Sequence, residues 1–220
     1  WHGLFGGLYL PHLRRALYRA MIELEAHLDR SAPRLGHYQE DLDSDGHKEL
    51  FLHNETIQMV VNLDGTATIR ELDSYPLAHN FVDTLRRQSE HYRRKIQAGE
   101  AAANAAGGIA SAHDRVSFKS LIVPSDLAID HSGKGLFHDK LYPTHIGYET
   151  VEPRYSLVSE GNQNLIFTAE TYNGTFYKEV HLGKNSISVG YSFERAMRGF
   201  LEIELNLSMP SCDGPAGRYW

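Results

Sequence analysis

The sequence predicts a mainly-β chain: an antiparallel β-sandwich preceded by one amphipathic helix. Three observations predict it. Apolar residues recur at helical spacing near the start. From Lys48 onward they alternate with polar ones, the period of a strand with one buried face. The alternating stretches are punctuated by Asp64-Gly65, Asn173-Gly174 and Gly183–Asn185, which suit tight hairpin turns. Short strands joined by such turns argue a sandwich rather than a parallel sheet.

The helix is expected over residues 11–30. Leu13, Leu17, Met21, Leu24 and Leu28 fall three or four apart and share one face. Pro11 suits the first turn, where its missing N–H costs nothing, and Ser31 to Pro33 end the helix. An apolar stripe with no partner helix nearby in sequence implies a helical layer of which the rest lies elsewhere. Residues 1–36 therefore read as the end of a helical domain, and 37–220 as the sandwich.

Strands are expected at Glu49–His53, Thr56–Leu63 and Thr66–Leu72, then at Tyr155–Ser159, Asn164–Tyr172, Phe176–Leu182, Ser186–Phe193 and Phe200–Met209. Two stretches interrupt them. Asp83–Ile96 is rich in arginine and predicts a surface helix, read as a solvated or salt-bridging face. Residues 97–112 are nearly devoid of large apolar groups and predict a loop. The closing Gly217–Trp220 follows a turn after which a further strand is expected, so the chain reads as cut at both ends.

The chain has 220 residues with a net charge of −6, which gives no reason to expect a nucleic acid or an anionic membrane as partner. No apolar run approaches the roughly 20 residues of a membrane helix. The start at Trp1, on a Gly-rich apolar stretch without a basic region, does not read as a signal peptide. The single cysteine, Cys212, excludes a disulfide framework within the chain and fits a cytoplasmic address.

The stretch with most chemistry is Asp41-Leu42-Asp43-Ser44-Asp45-Gly46, followed by Glu49. Alternating carboxylates at Asp41, Asp43 and Asp45 can converge on one cation if the loop curls at Gly46, with Glu49 closing the shell. Hard oxygen donors point to a structural Ca²⁺ rather than zinc. A solvated acidic turn without metal is the alternative, since Leu52 stands where an EF-hand loop has its closing glutamate. The 13 histidines are scattered without a zinc-binding spacing.

The opening Trp1-His2-Gly3-Leu4-Phe5-Gly6-Gly7-Leu8-Tyr9-Leu10-Pro11-His12-Leu13-Arg14 closely resembles a signature of the 4-α-glucanotransferases and α-amylases of glycoside hydrolase family 57. Asp41–Glu49, Asn80–Arg87 with Glu90 and Tyr92, and Cys212–Tyr219 also look like that family. The resemblance implies a retaining enzyme that cleaves an α-1,4-glucan and passes the sugar to another glucan or to water. It places the catalytic carboxylates in a barrel preceding Trp1, so no catalytic role is carried over to this chain. It also implies a galactose-mutarotase-like sandwich, in which a histidine and a glutamate can act on a sugar ring. His131, His138 and His145, near Asp126, Asp130 and Asp139, are the residues that reading concerns, against a plainer one as polar loop residues. Trp1 and His2 are implied as lining the glucan cleft, an indole stacking on a pyranose and an imidazole reaching a hydroxyl.

The implied partners are maltooligosaccharide, through the intact enzyme, and the N-terminal barrel; a homodimer stays open. A non-catalytic carbohydrate-binding sandwich and an aldose epimerase-like enzyme are the rival readings.

Overall fold

The computed structural model describes residues 10–34, 36–89, 123–145 and 149–209. The opening motif, the Ala/Gly-rich stretch, Cys212 and the closing motif lie outside them. The chain divides into a unit of Trp1–Thr84 with Lys134–Trp220 and a second of Leu85–Gly133.

The first unit is the expected mainly-β fold. Helix α1 (Pro11–Ser31) is followed by β1 (His37–Glu40), β2 (Glu49–His53), β3 (Ile57–Asn62), β4 (Ile69–Ser74), β5 (His79–Asn80), β6 (Leu136–Tyr142), β7 (Ser156–Glu160), β8 (Asn164–Thr171), β9 (Gly174–Leu182), β10 (Ile187–Phe193) and β11 (Phe200–Leu205). One sheet runs β1-β2-β3-β4-β6-β11 with β5 beside β4, and the other β10-β9-β8-β7. Every strand pair is antiparallel.

The two sheets share one core. Leu50, Leu52, Met59, Val61, Ile69 and Leu141 meet Leu165, Phe167, Phe176, Val180 and Leu182 in it. Along β9 the even-numbered residues Phe176, Lys178, Val180 and Leu182 are buried, as the alternation predicts. At the β8–β9 hairpin Gly174 sits at a φ of +90°, a conformation an L side chain rarely adopts.

Three differences from the expected elements have physical causes. First, β4 begins at Ile69 rather than Thr66, because Ala67 takes a positive φ of 48° and a bulge at Val60/Val61 resets the register. Second, Leu136-Phe137-His138-Asp139-Lys140-Leu141-Tyr142 is a strand, although its central His-Asp-Lys reads as loop; Asp139 and Lys140 find partners far away in sequence, in Lys178 and in Glu202 and Glu204. Third, no helix forms over 83–89, the described part of the arginine-rich segment. In the second unit Arg87 commits both its N–H, to the Asp130 carboxylate at 2.6 Å, and its carbonyl, to the Asp130 N–H at 2.9 Å, so neither joins a helical ladder.

α1 spans the expected residues, yet its apolar stripe is not the face that meets the sheet. Leu13, Leu17, Met21, Leu24 and Leu28 are exposed. Arg14, Tyr18, Ile22, Glu25 and Asp29, also at helical spacing, form the face toward the sandwich, and only Ile22 among the described helix residues is buried.

Candidate functional site

The acidic loop curls as expected. Ser44 and Gly46 both take positive φ, 58° and 90°, and reverse the chain between β1 and β2. Asp41 accepts from the backbone N–H of Asp45 at 3.2 Å and of Gly46 at 3.1 Å, and Glu49 from that of Leu42 at 2.8 Å. Carboxylate oxygens of Asp41, Asp43 and Glu49 come within 4.8 Å of one another. Asp45 is not part of that trio; its Oδ1 accepts from the N–H of His47 at 2.7 Å, an Asx turn that shapes the loop.

Sequence reasoning missed a residue here. Arg70, displaced onto this face beside the β4 bulge, donates from one Nη1 to Asp43 at 2.8 Å and to Glu49 at 3.0 Å. Its hydrogen bond holds the Asp43 carboxyl below the usual range. The trio thus already has a cation, supplied by the protein. Nothing in the local pattern around Asp43 signals an arginine 27 residues away.

A second polar assembly lies inside the sandwich. Lys178 Nζ donates to Asp139 Oδ2 at 2.8 Å and to the carbonyl of Phe137 at 2.6 Å, with both side chains fully buried. Asp139 also accepts from Tyr155 at 2.8 Å and from Tyr191 at 2.7 Å. Phe137 holds a φ of 60°, which turns its carbonyl into this cluster's reach. Burial drives the lysine pKa down, while the carboxylate beside it pulls the other way. Burial and the Asp139 charge raise both tyrosines. The only sequence signal was Lys178 on the inward register of β9.

His138 is buried on β6 with Nε2 3.9 Å from Glu152 and Nδ1 without a partner, while His145 is exposed. Asp139, next along β6, belongs to the core cluster, and His131 and Asp130 lie in the second unit. Trp1 and His2 lie outside the described residues. No helix among the described residues is long and apolar enough to cross a membrane.

Comparison with known proteins decides the kinship of this fold. The family model "Alpha-amylase/4-alpha-glucanotransferase, C-terminal" matches residues 41–220. The chain belongs to the α-amylase/4-α-glucanotransferase C-terminal family. The corresponding middle-domain model matches residues 1–28, which include most of α1.

Members of this family resemble the chain over nearly all its length. A 4-α-glucanotransferase of Thermococcus kodakarensis is 31% identical over 96% of this chain and 34% of its own length. An α-amylase of Pyrococcus abyssi is 28% identical with the same coverage. The chain thus spans about a third of the length of these relatives. The crystal structure of the Thermococcus litoralis 4-α-glucanotransferase superposes with a TM-score of 0.65 at 21% identity, covering 94% of this chain and 31% of that one, a likeness of fold.

Proposed function

We propose that this chain is the C-terminal portion of a retaining α-1,4-glucan transferase or hydrolase of glycoside hydrolase family 57, acting as scaffold and cleft rim. The match of the C-terminal family model over residues 41–220 carries this reading. Two further observations support it. The middle-domain model matches 1–28, and the leucine stripe of α1 in that stretch stands clear of the sandwich, available to the rest of a helical layer. Retention at a glycosidic centre needs a nucleophile and an acid/base carboxyl about 5–5.5 Å apart. In this reading both sit in a barrel outside the 220 residues, Trp1 and His2 touch the glucan at its edge, and the intact enzyme is cytoplasmic. Incubating the purified chain with maltooligosaccharides and resolving products by length is the test. No redistribution or shortening is expected, and any turnover by the chain alone sinks the reading.

The acidic loop is proposed as a calcium site that pins the link between helix and sandwich. Asp41, Asp43 and Glu49 offer oxygen donors of the right kind, and Arg70 is the competitor that a cation has to displace. Binding is therefore expected to be weak, with a Kd on the order of 10⁻⁴–10⁻³ M. Arg70→Ala removes the competitor and is expected to tighten it. Thermal unfolding against calcium concentration reads both. A melting temperature indifferent to millimolar calcium in the wild type and in Arg70→Ala rejects the site.

A further inference from the structure

The face that seats α1 is polar in a way the helix's sequence pattern does not announce. His53, Gln58, Asp73 and Asn80 are register partners across β2, β3, β4 and β5, so they stand in one row on one side of the sheet. Tyr38, Phe51, Val60 and Glu71 form the neighbouring row. From α1, Glu25 accepts from Gln58 Nε2 at 3.1 Å, and the same amide reaches Asp73 Oδ2 at 3.3 Å.

Asp73 is 1% exposed and its Oδ1 has no hydrogen-bond donor. Among the described residues no cation pairs with it. Glu71, two residues before it, lies on the same face of β4, and Glu25 adds a third carboxyl from above. The nearby cations are committed elsewhere. Arg14 binds Asp83 at 2.8 Å, Arg34 binds Asp29 at 2.8 Å and approaches Glu25 at 3.8 Å, and Arg70 holds Asp43 and Glu49. Lys134, leading into β6, binds Glu204.

We propose that the seat of α1 is a proton-dependent latch: a proton held on Asp73 and facing Glu71 keeps the helix closed on the sheet, and its loss as pH rises releases it. A buried carboxylate oxygen with no donor, beside a second carboxylate, is costly when both are charged. One proton between them removes the repulsion and supplies the missing donor. Burial, with Glu71 and Glu25 behind it, pushes the Asp73 carboxyl up to about 10, in agreement with this geometry.

The remaining titratable groups at the seam are Tyr18, Asp29 and the partly buried Arg15 on α1, Tyr38 and Glu40 on β1, His53 on β2, Tyr75 after β4, and His79 on β5. Tyr18 and Tyr75 are both raised by burial, Tyr18 to about 12, so they stay neutral over the range that matters. His79 is engaged by the carbonyl of Ser208 at 2.8 Å. His53 lies 3.9 Å from Asp29.

The sign follows from linkage. The closed helix holds the proton on Asp73 and the open one, with Asp73 in water, does not. Closure is therefore complete at acid pH, and opening grows easier with each pH unit above the ordinary carboxyl range until the raised value is reached. With Ile22 as its one buried side chain, α1 has little apolar burial to resist this. The latch stands apart from the glucan reading, since it needs no sugar and no further domain.

Amide hydrogen exchange on the 220-residue chain between pH 6 and 9, corrected for intrinsic exchange, tests it. The opening constant of α1 amides is expected to rise by up to about tenfold per pH unit relative to amides of β8 and β9, the limit for one proton. Asp73→Asn is expected to abolish the slope and keep the helix protected. Should Asp73→Asn lose protection in β8 and β9 as well, Glu71→Gln decides: removing the like charge shifts the sloping range to lower pH. A flat wild-type profile, or a slope that neither substitution moves, overturns the latch.

Discussion

Replacing Lys178 with methionine is expected to lower the free energy of unfolding by about 3–5 kcal/mol, among the largest losses for a single substitution in this chain. The ammonium sits 2.8 Å from Asp139 with both side chains at zero exposure, so its removal leaves a bare carboxylate in the core. The Tyr155 and Tyr191 hydroxyls remain as donors, but no cation replaces the lysine. The rings of those tyrosines, 5.1 and 5.8 Å from Nζ, also lose the charge they face. The pair itself is a weaker source of stability than this number suggests, because burying two ions offsets most of their attraction. Lys178→Met combined with Asp139→Leu is therefore expected to recover part of the loss. Adding Tyr155→Phe and Tyr191→Phe recovers more, since the stranded hydroxyls go too. Urea unfolding followed by circular dichroism measures each variant. A loss below about 1 kcal/mol in Lys178→Met shows that water or another group satisfies Asp139, and refutes the closed cluster.

These buried polar residues mark where sequence reasoning stops. Alternation placed β2, β8, β9 and β10 to within a residue or two, because most buried side chains there obey the local rule that one face is apolar, Lys178 on β9 and Glu49 on β2 excepted. The Asn173-Gly174 turn was legible for the same reason: the backbone demand and the residue that meets it are adjacent. β6 failed the rule, since His138 and Asp139 are polar and buried, and what permits Asp139 is Lys178, Tyr155 and Tyr191 from elsewhere in the chain. α1 shows a subtler failure. Its strongest periodic signal, the leucine stripe, describes a face the sandwich does not cover, while the face it does cover reads as scattered Arg, Tyr and Glu. At the acidic loop, the carboxylates and their curl were readable from Asp41 to Glu49, whereas Arg70 was not, because a β-bulge in β4 brings it there. In each case the missing information is a long-range partner.

The apolar half of the core makes the complementary prediction. Phe176→Ala is expected to cost about 3–5 kcal/mol. Phe176 is fully buried, stacks on Phe193 at 4.2 Å between centroids, and has Tyr191 at 5.7 Å and Tyr155 at 5.8 Å. It therefore braces the two tyrosines whose hydroxyls hold Asp139, so the aromatic stack and the ion pair form one assembly. Phe176→Leu, which keeps most of the volume, is expected to cost about half as much or less. Because the sites share partners, Phe176→Ala and Lys178→Met are expected to be non-additive by about 0.5–3 kcal/mol in a double-mutant cycle. Strict additivity of the two would show that the tyrosines hold their positions without Phe176. The cation–π and hydrogen-bond geometry around Lys178 would then be set by β6 alone, through the Phe137 carbonyl and Asp139, and not by the packing between the sheets.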